Sequence, residues 1–263
     1  MRRLNNKSAI IYGTGGIGTA VAKAYASAGA KVFLAGRNER VLKHLRKEIS
    51  DAGGWIDIAQ VDLLDQQTIH AHFEKVLAEA GHVDISFNTF GLPQTGIQGT
   101  ALIDLSVDVF LRPIEQYLRS QFLTTQVALK QMVKQNSGVI MMHTPDGGRE
   151  SQPFIGGMPS TWSALEALNR SISVEYGKAG IRSVCLLTTA IPETPLIDEV
   201  FDIHGRSHGT SYEDFTNVMN GMTHRNRLTS LEELTNAAIF VGSDESTAIS
   251  GTILNLTAGM ITV

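Results

Sequence analysis

The sequence predicts an α/β fold built on a parallel sheet. Three observations carry that prediction: short apolar runs alternate with amphipathic helical stretches, the intervals between runs suit parallel crossovers, and a glycine cluster stands at the first strand–helix junction. With 263 residues, 43% hydrophobic and 18% charged, the chain can bury the core of one large domain.

Residues 8–12 read as a buried strand, followed by Gly13-Thr14-Gly15-Gly16-Ile17-Gly18. A helix then runs to about Ala28, with Ile17, Val21, Ala22 and Tyr25 at helical spacing, and Gly29 closes it. Residues 32–35 form a second strand, and Val41, Leu42, Leu45 and Ile49 give the next helix its apolar side. Residues 55–59 are a third strand leading to Val61-Asp62, a helix follows around Ile69, Phe73, Val76 and Leu77, and 83–87 are a fourth strand. Residues 88–100, rich in glycine and threonine, suit a loop at the carboxyl ends of the strands.

Two helical segments are expected at 106–111 and 114–134, with Pro113 between them as a start or kink. Residues 138–143 give a fifth strand, 144–160 a polar loop, 163–176 a helix with Leu165, Leu168 and Ile172 inward, and 181–187 a sixth strand. The stretch 188–229 breaks the rhythm with Pro192, Pro195 and several glycines, so a substrate loop or lid with room for short helices is expected there. A helix at 231–241 and a strand at 252–256 complete a single domain spanning 1–263.

Charge and cysteine usage exclude several functions. Twenty-six acidic against 22 basic side chains leave a formal charge of −4, which offers no general attraction for nucleic acid or an anionic membrane. No long apolar span or secretory leader is legible, so a cytoplasmic protein is expected. Cys185 stands alone, excluding an intramolecular disulfide, and its apolar strand suits an inert thiol. His204 and His208 are four apart, but Gly205 and Gly209 argue against a rigid ligand face and no metal is expected; these histidines, with His70, His72 and His82, are read as solvated.

The chemistry-bearing signal is Gly13-x-Gly15-x-x-Gly18 between strand and helix. Such spacing gives a tight turn, lets backbone approach a pyrophosphate, and points a helix N-terminus at its charge. Thr14, Gly16 and Ile17 complete the expected cradle. Where an NAD site usually carries an acidic residue, the chain has Gly36-Arg37-Asn38, so Arg37 favours the 2′-phosphate of NADP over NAD; a solvated arginine at a helix start is the alternative. Asp62 could accept from an adenine amino group and Asn88 could touch a nucleoside, or each could cap a turn.

These residues resemble the short-chain dehydrogenase/reductase family over nearly the whole chain: Gly13 to Gly18; Val61-Asp62-Leu63; Asn88-Thr89-Phe90-Gly91; Ser163-Ala164-Leu165-Glu166-Ala167-Leu168; Gly180-Ile181-Arg182; and Ser243-Asp244-Glu245 through Ala258-Gly259. The resemblance implies a Rossmann-like, doubly wound parallel sheet of about seven strands with helices on both faces. It also implies a nicotinamide cofactor at the carboxyl edge, a small carbonyl or alcohol substrate, and a homo-oligomer built on helices near 114–134 and 163–176. In the family's phosphate motif Tyr12 falls on the first glycine, so either Tyr12 is tolerated there or Gly13 serves instead.

The catalytic positions depart from the family. Its Tyr-x-x-x-Lys falls on Met158 and Trp162, its serine on Pro145, and its helix asparagine on Tyr117. Candidates for a replacement relay are Asp146 and Tyr117 as proton-transfer groups and Thr144 as hydroxyl stabiliser, with His143, Glu150 and Ser160 nearby. Two functions are therefore expected to compete: hydride transfer through a nonstandard proton route, and a catalytically silent protein that binds nucleotide or serves assembly.

Overall fold

A computed structural model describes residues 3–262. Seven parallel strands, β1 (Ser8–Tyr12), β2 (Lys31–Gly36), β3 (Trp55–Gln60), β4 (Ile85–Asn88), β5 (Gly138–Pro145), β6 (Ile181–Thr188) and β7 (Thr252–Leu256), form one sheet in the order β3-β2-β1-β4-β5-β6-β7. The chain order reverses between β1 and β4, and a crevice opens there beyond the carboxyl ends of the strands.

Alternation along the strands assigns the two faces. Ala9 and Ile11 of β1 join a core with Val21, Ala22 and Tyr25 of α1 (Gly16–Ser27), Leu42 and Leu45 of α2 (Glu39–Asp51), and Leu234 and Val241 of α8 (Leu231–Gly242). Ile10 and Tyr12 face the other way, onto Ile69 and Phe73 of α3 (Gln66–Ala80), Val127 and Met132 of α4 (Val107–Gln135), and Ile172 of α5 (Met158–Tyr176). Burial on both faces explains why the central strands read as continuous apolar runs.

The helix ends follow their local chemistry. Asn38, Asp65 and Ser106 cap α2, α3 and α4 by accepting from Val41, Gln67 and Val109 N–H, and Ser230 with Glu233 forms a capping box on α8. Gly81 and Asn136 end α3 and α4 in the left-handed conformation that a longer branched side chain would resist.

Three expectations are corrected, and the room left for short helices in 188–229 is filled by two. The helices expected on either side of Pro113 are one 29-residue helix, α4, with Pro113 buried in its second turn; the Ser106 cap and the ladder beyond carry the helix through the missing donor. α5 begins at Met158 rather than 163, so Met158 and Trp162 lie on its first turns. The stretch 188–229 is largely helical: α6 (Pro195–His208) and α7 (Tyr212–Gly221) close over a small cluster of Phe201, Phe215, Met219 and Leu228. Finally, His72 and His204 are buried rather than solvated, at 7% and 3% exposure. Among the described residues, no helix is long and apolar enough to cross a membrane.

Candidate active site

A cavity of about 670 Å³ occupies the crevice at the carboxyl edge. It runs from Gly13–Ile17 and Gly36–Asn38, past Asn88, Tyr117 and Asp146, to Phe201, Phe215 and Met219 on α6 and α7.

At the first end the glycines answer different needs. Gly13 leaves β1 with φ +112°, and a Cβ there would lie 2.6 Å from Thr89 Oγ1. Gly18 presses on the same turn: its Cβ would fall 2.1 Å from the Gly13 carbonyl oxygen, so this glycine serves helix–strand packing and does not line the cavity. Gly15 has open space where its Cβ would be, and as N-cap of α1 it brings no side-chain acceptor; the first turn holds no acidic residue. The N–H groups of that turn are therefore free for an anion, and the cradle fits a dinucleotide pyrophosphate.

Tyr12 does not crowd this turn. Its side chain is fully buried on the opposite side of β1 and does not line the cavity, so Gly13 serves as the first glycine of the motif.

Arg37 lines the cavity with an exposed guanidinium, and it is the single arginine or lysine among the described lining residues. Asn38 is committed to capping α2. Asp62 is exposed and off the lining, and its Oδ1 accepts from Leu64 N–H at 3.0 Å. Asn88 lines the cavity, but its Nδ2 donates to Ser120 and Thr124 hydroxyls at 3.0 and 2.9 Å and its Oδ1 accepts from Phe90 N–H. Asp62 thus caps its own turn, while Asn88 joins a buried polar cluster at the cavity wall.

Two of the three catalytic candidates line the cavity. Asp146 opens a 3₁₀ turn (Asp146–Gly148) directly after β5 and lines the cavity while 8% exposed. Burial drives its carboxyl up to about 6, partly opposed by hydrogen bonds from its own and the Gly147 N–H, while nearby Glu150 adds to the rise. Tyr117 reaches the cavity from α4 and its hydroxyl accepts from Leu92 N–H at 3.3 Å; burial raises this phenol's pKa, so it stays protonated. His143 also lines the cavity, 2.9 Å from Thr188 Oγ1 through Nε2, and burial lowers it to about 4.

Thr144 must be corrected. Successive β5 residues alternate, so while His143 meets the cavity, Thr144 turns behind the sheet and is fully buried. Its hydroxyl lies 3.5 Å from Glu166 Oε1 and 3.3 Å from Cys185 Sγ, out of reach of any substrate. Ser160 is exposed and off the lining. Cys185 is buried with its thiol pushed up to about 12, mainly by desolvation.

Met158 and Trp162 line the cavity and pack with Leu92, Ile97 and Ile155, with Phe90 and Tyr117 against them. Residues to which the sequence reading gave no role in the site close the far end. Glu199 of α6 accepts from Gln94 N–H, Thr95 N–H and Thr95 Oγ1 at 3.0, 2.6 and 2.6 Å, fastening the loop after β4 to α6. A side-chain chain Gln94–Gln98–His204 runs beside it, with contacts of 2.7 Å at both joints. The sequence marked His204 only as a weak metal candidate, and no local signal joined the loop to α6, because Glu199 and His204 meet Gln94 and Gln98 across more than a hundred positions.

The chain is similar to known proteins in both sequence and fold. The model of the family described as enoyl-(acyl carrier protein) reductase matches residues 12–261. An uncharacterized oxidoreductase, YxbG, of Bacillus subtilis is 28% identical over 99% of this chain and 93% of its own length. The 7α-hydroxysteroid dehydrogenase of Escherichia coli is 28% identical over 98% of this chain and 95% of its own. Among solved structures, a variant of actinorhodin polyketide ketoreductase with NADPH superposes with TM-score 0.89 at 22% identity, covering 97% of both chains.

Proposed function

Because this chain belongs to the short-chain dehydrogenase/reductase family of NAD(P)-dependent oxidoreductases, we propose that it interconverts a bulky apolar carbonyl compound and its alcohol, using NADP, with Asp146 as the proton-transfer group. The observation that carries the reading is a carboxyl group, nine-tenths buried, lining the cavity and held near pKa 6. It stands next to Pro145, where the family serine would be.

Gly13–Ile17 and the N-terminus of α1 would hold the pyrophosphate, and Arg37 would pair with a ribose 2′-phosphate through its planar fork. When bound, the nicotinamide supplies or accepts the hydride. In reduction, protonated Asp146 gives its proton to the carbonyl oxygen as the carbon is reduced, and the carboxylate is then reprotonated from solvent; oxidation runs the transfer backwards. Tyr117, protonated and fixed by the Leu92 N–H, can donate a hydrogen bond to the same oxygen without releasing its proton. The apolar walls of Leu92, Ile155, Met158 and Trp162 exclude water and favour a large hydrophobic substrate. That substrate class accords with the steroid and polyketide substrates named for two of the similar proteins.

A second reading is favoured by Trp162 itself. It stands at the position of the family lysine, so the cation that would grip the nicotinamide ribose is replaced by an indole, and the chain would bind nucleotide without turning it over. One experiment separates the two: NADPH oxidation across a panel of steroid, polyketide-like and aromatic ketones, for wild type and Asp146→Asn. Turnover lost in the variant, with NADPH still raising its melting temperature, supports the first reading. Cofactor binding without turnover on any ketone supports the second, and no response to NADPH or NADH removes both.

The exposed Phe122 and Val133 of α4 and Val174 of α5 further favour self-association through these helices. Light scattering that finds only monomer would dismiss it.

A further inference from the structure

Three side chains on the first turns of α5 converge on the turn that bears Asp146. The Trp162 indole lies against Gly147, where a Cβ would come within 2.5 Å of Cζ3. Next to it, Ser163 Oγ donates to the Gly148 carbonyl at 3.0 Å. One turn further, Glu166 receives Arg149 Nε at 3.3 Å and Nη2 at 3.2 Å. Residues 147, 148 and 149 are thus each fixed by a different group of one helix. The turn closes on Asp146, whose carbonyl accepts from Arg149 and Glu150 N–H at 2.8 and 3.0 Å.

We propose that Glu166 and Arg149 are a positioning pair, which with Trp162 lets α5 set the placement of the Asp146 carboxyl in the cavity. This inference rests on the reading of Asp146 as proton-transfer group. Its physical ground is that Glu166 is 6% exposed and its carboxylate is held by the more open Arg149, so the paired charges tie the turn to α5 through directional hydrogen bonds. Thr144 Oγ1 also lies by Glu166, so the hydroxyl misread as catalytic belongs to this supporting layer. The helix face that carries the family's tyrosine and lysine here grips the neighbouring turn instead.

Loosening the pair admits water to Asp146. Glu150 on its own loop adds to the rise of that carboxyl, His143 of β5 and Tyr117 of α4 line the same cavity, and none of the three is altered by the change. The test compares Glu166→Gln and the double variant Glu166→Gln/Arg149→Met, which leaves no unpaired buried charge if the single variant folds poorly. The Asp146 titration, followed by NMR of carbon-13-labelled aspartate with Asp146→Asn to assign the signal, should move toward acid by about one unit, and kcat should fall about tenfold with KM within about twofold. An unmoved Asp146 titration in folded variants overturns the inference. If the titration moves yet Asp146→Asn turns over like wild type, positioning stands and the catalytic reading falls.

Discussion

Tyr12 and His72 meet edge-on beneath β1, their ring centroids 5.8 Å apart and their planes at 74°. Both rings are buried, and Tyr12 Oη and His72 Nδ1 find no hydrogen-bond partner among the described residues. A tyrosine that the phosphate motif would place beside the cofactor is therefore a core residue on the far face of the sheet.

Tyr12→Phe should leave cofactor affinity unchanged and should hold or raise stability by up to about 1 kcal/mol, since it deletes a buried hydroxyl without a partner. Urea unfolding checks the second point and NADPH titration the first. A variant that binds NADPH much more tightly would show that the phenol had obstructed the phosphate turn after all.

Asp146 gives two signatures of opposite use. Its native pKa, near 6 against an ordinary 3.8, is raised, so the stability it contributes is full below about 3.8 and declines as pH rises through about 6. Relative to Asp146→Asn, the wild type should lose about 3 kcal/mol across that window, measured by denaturant melts at several pH values. The rate of ketone reduction should fall as pH rises through the same midpoint, because the acid form donates. A flat profile from pH 5 to 8, on the order of the window a carboxyl so placed would titrate in, would exclude this proton source.

The buried histidines act in the opposite sense. Desolvation is the leading cause that lowers His72, His143 and His204 to about 4, so each contributes stability above the ordinary 6.5 that is lost as pH falls through 4. His72→Phe, paired with the same edge-on contact, should flatten part of the acid limb of the melting-temperature profile between pH 6.5 and 4. An unchanged acid limb would mean that His72 already titrates normally in the fold.

Two glycines of one motif should respond differently to alanine. Gly18→Ala drives a Cβ into the Gly13 carbonyl and should destabilise the fold by about 1–3 kcal/mol. Gly15, with φ −72° and open space on its Cβ side, should accept alanine with unchanged or slightly raised stability while losing NADPH affinity. Thermal melts with and without NADPH separate these outcomes; equal losses of stability would refute the division of roles.

Arg37→Glu should abolish any preference for NADPH over NADH, a change of roughly 10- to 100-fold in the ratio of dissociation constants for a lost charge-assisted pair. Fluorescence of Trp162, which lines the cavity, reports both titrations. A ratio that does not change would assign Arg37 to solvent.

The sequence by itself determined the sheet and the cradle, because strand burial, helical periodicity and a glycine turn are local signals repeated along the chain. It also singled out Met158 and Trp162, which line the cavity. Only the tertiary structure decided which side of each strand a candidate faced: one residue separates His143 in the cavity from Thr144 behind the sheet, and Tyr12 from the phosphate turn at Gly13. The grip of α5 on the Asp146 turn and the Glu199 clamp were likewise invisible, since they join groups brought together by packing, and no spacing along the chain encodes which of many buried polar groups will find one another.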